Sequence, residues 1–196
     1  AKIATIADLL ATLDDEEIAP AVANLIGETP HGKLGVGPAA IMAARPAHAA
    51  DAPSLSIGEV DRALGDIAAT SGTGSAARRN KLLSDLLVRA SASEQDFLLR
   101  LLFGELRQGA LEGVMLDAIA RASNLPAASV RRAAMLGGGP ARMARAALTG
   151  GGAALRQFAL TLFRPLQPML AQPAEDVADA LAQLGTASLE WKLDGA

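Results

Sequence analysis

The chain has 196 residues, enough for one sizeable core or for one domain and the start of a second, and 51% are apolar but only 3% aromatic. That balance favours helices packed through small side chains over an aromatic-rich sheet, while the lack of cysteine and the isolation of His31 and His48 argue against a disulfide framework or a zinc centre. No window approaches the roughly 20 uninterrupted apolar residues of a membrane span, and no basic segment leads into an apolar run at the start, so a cytoplasmic protein is expected. The net charge is -3, yet residues 72–164 hold 13 Lys or Arg against 6 Asp or Glu, leaving 5 basic and 15 acidic residues elsewhere. A basic centre between acidic ends is the relevant observation, because a local field governs nucleic-acid binding more than the total does.

Apolar residues at helical spacing run through Ile3, Ile6, Leu9, Leu10 and Leu13, and Asp14, three before Glu17, can cap a second segment reaching about Ile26. A glycine-rich turn, His31 to Gly37, leads into Pro38, a residue tolerated in a helix's first turn. Residues 45–53 are rich in Ala and Pro without a period and read as a linker; Ser56 and Glu59 then form a capping-box pattern for a helix to about Thr70. Ser71-Gly72-Thr73-Gly74-Ser75 is the next break. Helices are predicted at about 76–91, 94–107, 113–123, 127–136 and 140–148, separated by Gly109, Pro126 and the glycine triplets at 137–139 and 150–152. Past Gly152 the texture changes. Phe158 to Phe163 alternates like a strand or extended segment, and the two prolines of Arg164 to Ala171 rule out an uninterrupted helix. A helix from about Ala174 to Leu184 and a short strand from Ser188 to Leu193 complete the reading. The fold class is therefore all-α, with a short α/β segment at the C-terminal end. Its expected divisions are a helical domain over 1–155, an extended linker over 156–172 and the start of a further, truncated domain over 173–196.

Three ordered patterns carry a resemblance. The tail Leu189-Glu-Trp-Lys-Leu-Asp-Gly195 contains Lys-x-Asp-Gly and resembles the adenylylation motif of nucleotidyltransferases. About twenty residues ahead of its lysine, Pro165-Leu-Gln-Pro-Met-Leu-Ala171 resembles the segment that leads into that motif in multidomain ligases. Further back, Gly104-Glu-Leu-Arg-Gln-Gly109 with Val114 to Ile119, and the loops Ser71 to Arg79 and Lys33 to Gly37, resemble the DNA-binding domain of the same enzymes. Taken in order these cover nearly the whole chain, which is identified as similar to the N-terminal part of ATP-dependent DNA ligases of the bacterial multidomain type.

The resemblance implies an all-α domain that grips nicked duplex DNA through backbone and minor groove, followed by an adenylation domain and an OB-fold domain. It implies DNA contacts at Lys33, Gly35, Gly37, Thr73, Gly74, Ser75, Arg78, Arg79, Arg107 and Gly109. It also implies that Lys192 is the catalytic nucleophile toward the α-phosphate of ATP, with Glu190, two residues earlier and on the same strand face, reading the adenine. ATP and magnesium are expected for the full-length enzyme and no cofactor for this chain, which is expected to end inside the following domain and to be inactive alone. Expected partners are duplex DNA, preferably nicked, and in principle a sliding clamp; the chain is expected to be a monomer, associated with the nucleoid when bound to DNA.

Residue chemistry supports several of these roles directly. Gly72 to Ser75 precede a helix whose first turn carries Arg78 and Arg79, so bare N–H groups, the helix dipole and two guanidinium groups can converge on phosphate. Arg107 ends a helix whose other face is Phe97, Leu98, Leu101 and Leu102 and is the best single candidate for a phosphate contact, with Gly109 as a positive-φ helix stop. Arg131 and Arg132, adjacent on a helix, point about 100° apart. Asp194 reads as a turn residue rather than a metal ligand, and neither glycine loop is a nucleotide site, since Gly-x-x-x-x-Gly-Lys-Ser/Thr is absent. An alternative stays open: Leu116 to Arg132 also resembles a helix-turn-helix, whose second helix would read the major groove of a specific site. A purely structural helical scaffold would need neither the glycine loops nor the basic bias.

Overall fold

Local chemistry sets where the helices begin. In the computed structural model, which describes residues 1–106, 111–163, 166 and 174–188, α1 spans Lys2–Leu10 and α2 Asp15–Ile26. The start of α2 is a capping box in which Asp14 and Glu17 satisfy each other's backbone amides. Pro38 opens α3, Pro38–Ala44. Ser56 and Glu59 close a second box at α4, Ile57–Ala69, with Glu59 N donating to Ser56 Oγ at 3.1 Å and Ser56 N to Glu59 Oε2 at 2.9 Å. Then follow α5, Ser75–Arg89, α6, Ala92–Phe103, α7, Leu111–Ser123, α8, Ala127–Gly137, α9, Pro140–Leu155, and α10, Val177–Leu184. The all-α expectation holds: among the described residues the only β feature is an isolated bridge between Ala50 and Ser91.

Several boundaries differ from the sequence reading. The helix expected to run to Arg107 and stop at Gly109 ends at Phe103, where Gly104 at φ 67° is the left-handed cap. Helix α6 begins at Ala92 rather than 94 because Ser91 and Glu94 form a third capping box, Ser91 N donating to Glu94 Oε2 at 2.8 Å. Helix α9 does not end at residue 148. It continues through the glycine triplet with one non-helical residue, Gly151, at φ 58° and ψ -153°, a conformation open only to glycine, so the triplet kinks the helix instead of stopping it. The alternating run from Phe158 to Phe163 is no strand: 158–161 carries no ladder, and Leu162 and Phe163 form a turn. Alternation predicts a strand only where a partner edge supplies hydrogen bonds, and none lies alongside among the described residues. The strand expected from Ser188 to Leu193 falls, beyond Ser188, outside the described residues.

The chain divides into two units, residues 1–166 and 167–196. In the second unit α10 is capped by Asp176, whose side chain accepts from Asp179 N at 2.8 Å. The first unit holds two hydrophobic cores. One is built by α1, α2, α7, α8 and α9 around Leu10, Val22, Met115, Ile119, Val130 and Met143, with alanines filling the space between helices. The other is built by α3 to α6 around Ile41, Leu64, Ile67, Leu83, Leu87 and Leu98. Helix α1 packs on α7 and α2 on α9, so the first lobe joins the beginning of the chain to a segment about a hundred residues later, and α2 also touches α4 and ties the lobes together. Buried Gln95 seals the α5–α6 junction, its Nε2 donating to the carbonyls of Leu87 at 3.0 Å and Ala90 at 3.2 Å. Among the described residues no helix is long and apolar enough to cross a membrane.

Candidate nucleic-acid interface

The two glycine loops meet on the α3–α6 lobe. Helix α4 ends at Thr70, whose Oγ1 donates to Asp66 O at 2.7 Å, and the chain then turns through Gly72 at φ 79° and Gly74 at φ 75°. Two left-handed residues within three positions explain why glycine stands at both. Gly74 is the N-cap of α5 and offers no side-chain acceptor, and the first turn carries no acid. Ser75 N is taken by Gly72 O at 3.1 Å, whereas the amides of Ala76 and Ala77 have no acceptor among the described residues. Bare amides at the positive end of a 15-residue helix suit an anionic oxygen.

Arg78 and Arg79 do not simply project into solvent. Arg78 folds back over its own loop, Nη1 donating to Thr73 O at 3.0 Å and Nη2 to Ser71 O at 2.8 Å. Arg79 is half-buried and reaches across: Nη2 donates to Thr70 O at 2.5 Å and Nη1 to Gly35 O at 3.5 Å. A Cβ at Gly35, where φ is 67°, would stand 2.9 Å from that Nη1, so the guanidinium occupies the space a side chain would need. The first loop is held at its other end as well, by His31 Nε2 against Asp61 Oδ1 of α4 at 2.9 Å. Sequence reasoning missed both ties, because partners 30 and 44 residues apart leave no local spacing to read.

The remaining site residues sort by environment. Lys33 is exposed and meets no carboxylate among the described residues. Gly37 caps α3 at φ -88° with nothing within 4 Å of an added Cβ, so neither conformation nor space demands glycine there. Thr73, Gly74 and Ser75 surround the bare amides of α5. Arg107 and Gly109 lie outside the described residues, as do Glu190, Lys192 and Asp194. Arg100 is paired with Asp96 at 2.8 Å, and Lys81 with Asp85 at 2.8 Å. Arg89 pairs with Glu59 at 2.5 Å; the Ser56 backbone amide and then the Arg89 guanidinium hold the Glu59 carboxyl down at about 2. The arrangement offers amides and cations to an anion. Among the described residues no group of three His, Cys, Asp or Glu could hold a metal ion.

The segment read as a possible helix-turn-helix does contain two helices, α7 and α8, joined through Asn124 at φ 53°. Its second helix buries Val130, Ala133, Ala134, Leu136 and Gly137, and its Arg131 is spent on Asp117 of α7 at 2.5 Å. This leaves Arg132 and few other side chains to read bases.

Comparison with known proteins bears on the choice. Residues 43–120, which include the second glycine loop and α4 to α6, match the family described as DNA ligase N terminus. The chain is 55% identical over its full length to a probable DNA ligase of Anaeromyxobacter sp. (strain Fw109-5), covering 38% of that protein. It is 52% identical to a probable DNA ligase of Rhodococcus opacus (strain B4), covering 39%, and 55% identical to one of Mycolicibacterium gilvum (strain PYR-GCK), covering 38%. The chain thus spans about two fifths of the length of these relatives, and no regulator reading is favoured by them.

Proposed function

Because the chain belongs to the DNA ligase family, we propose that it is the region with which an ATP-dependent ligase grips duplex DNA beside a nick. The observation that carries this reading is the junction of the two glycine loops at the uncapped start of α5. There Arg79 fixes both loops in place, and bare amides, Lys33 and the outward donors of Arg78 face solvent. Backbone amides and short loops contact phosphate oxygens without reading bases, which suits an enzyme that must act on any sequence. In this division of labour Arg78 serves twice, since a guanidinium has five N–H donors and the loop uses two. Arg107 and Gly109 would extend the contact.

In the full-length protein Lys192 would receive the adenylate from ATP, with Glu190 against the base. A lysine amine must lose its proton before it attacks phosphorus, and the groups that would achieve this belong to the part of the enzyme beyond this chain. The chain alone is therefore proposed to bind DNA without forming lysyl-AMP. Magnesium would assist phosphoryl transfer there; the described residues supply no ligand set for it.

The test is binding of the 196-residue chain to labelled nicked duplexes of two unrelated sequences across a salt series. Similar affinities that fall steeply with salt are expected, and Arg107→Ala should weaken both without lowering the melting temperature. Strong preference for one sequence would instead point to base readout by α8, and absence of binding at low salt would remove the reading.

A further inference from the structure

The glycine loops are not the only place where cations gather. From residue 118 to residue 174 the sequence contains no Asp or Glu but seven arginines: 121, 131, 132, 142, 145, 156 and 164. Two of them, Arg142 and Arg145, stand one turn apart on the exposed side of α9, while Met143, Ala144 and Ala147 of the same helix face the core. Neither meets a carboxylate among the described residues. Like charges at this spacing repel, and no described carboxylate offsets them.

These arginines line a built cleft. The kink at Gly151 turns the chain back along its own helix, so that Gln157, Phe158 and Thr161 face Arg142, Arg145 and Thr149 across a space of about 590 Å³. The returning segment is anchored by Phe158, whose ring lies where a Cβ on Gly137 would be, 2.8 Å from its Cδ1. Two glycines thus serve one purpose: Gly151 supplies a turn closed to other residues, and Gly137 supplies the seat for the ring. Thr149 and Thr161 donate to the carbonyls of Arg145 and Ala159, at 2.9 and 3.2 Å. Both guanidinium groups keep their donors for a ligand.

We infer that this cleft is a second phosphodiester-binding site, on the α9 lobe and separate from the glycine-loop lobe, which engages the backbone of the same duplex. The inference rests on the DNA-gripping reading given above and adds a site to it. Two forked donor groups on one helix face, beside a glutamine and away from any described carboxylate, fit the oxygens of a phosphate, and the open cleft admits a strand from its side.

The experiment is the same salt series with R142Q/R145Q, which removes charge but little bulk from two exposed positions. Each lost phosphate contact should flatten the slope of log K against log salt by about 0.9, so affinity at 0.1 M salt should fall on the order of 10-fold for one contact and 60-fold for two. Both duplex sequences should be affected equally, and the melting temperature should not move. Arg132→Gln, exposed on α8 outside the cleft, should have a smaller effect than Arg142→Gln alone. An unchanged slope in the double variant would overturn the cleft while leaving the glycine-loop reading intact. Equal losses from Arg132 and Arg142 would overturn it in favour of a diffuse positive field, and failure of the unmodified chain to bind any duplex would remove both readings.

Discussion

The two lobes of the first unit solve the same packing problem with different materials. The α3–α6 lobe is filled by leucines, at 34, 64, 83, 86, 87, 98 and 101, whose branched side chains occupy the space between helices. The lobe of α1, α2 and α7–α9 places alanines at 120, 133, 134, 144 and 147, whose small side chains allow helices to approach closely. Charge follows the same division. On α5 and α6, Lys81, Arg89 and Arg100 are neutralised by Asp85, Glu59 and Asp96, while Arg78 and Arg79 donate to loop carbonyls, and the lobe presents its loops to a ligand. On α9, Arg142 and Arg145 meet no carboxylate among the described residues. A net charge summed over the chain hides this, and so does a basic count over 72–164, because such a count cannot show which arginines are already spent.

The comparison can be broken by exchanging the materials. Leu87→Ala, at a fully buried position, should cost about 2–5 kcal/mol through lost burial and a cavity. Ala144→Leu, equally buried, should cost about 1–3 kcal/mol by overpacking. Urea unfolding measures both; a neutral Ala144→Leu would show that the alanine lobe has room to spare. The glycine loops give a sharper contrast within one lobe. Gly35→Ala must accept a positive φ and displace Arg79, at a cost of about 1–3 kcal/mol together with weaker DNA binding, whereas Gly37→Ala should leave stability unchanged.

The smallest expected effect is on pH dependence. Glu59 has its carboxyl depressed from 4.5 to about 2 by the Ser56 amide and by Arg89, so its contribution to stability is present above about 4.5. That contribution is lost as pH falls from there toward 2. Thermal melts should show Glu59→Gln less stable than the parent at neutral pH, with the gap closing near pH 2; a gap of constant size would mean that the carboxylate charge contributes nothing at this surface position.

Much of this architecture is written locally, in short stretches of sequence. Asp14 with Glu17, Ser56 with Glu59, and Pro38 mark helix starts because a cap involves residues three apart. The Ser91–Glu94 box is equally local, but the second serine at 93 and the acids at 94 and 96 offer competing starts that blur it. The kink at Gly151 is not legible, since three glycines in a row signal a break without telling whether the helix resumes. The candidate interface is half legible. Glycines before a basic helix start are a sequence pattern, but the use of Arg79 as a strut to Gly35 depends on which carbonyls the fold leaves over. The cleft of α9 follows from the kink and is hidden with it.

The pairing of α1 with α7 and of α2 with α9 also sets a timetable for synthesis. The α3–α6 lobe is contiguous in sequence and can close as soon as it leaves the ribosome. Helices α1 and α2, made earlier, must wait for a partner that begins 85 residues after Ile26, on the order of ten seconds at about 5–20 residues per second. During that wait Leu10, Ile18 and Val22 lack the α7–α9 side chains that complete their core, and the four consecutive carboxylates of Asp14 to Glu17 favour a soluble nascent hairpin until it can be buried.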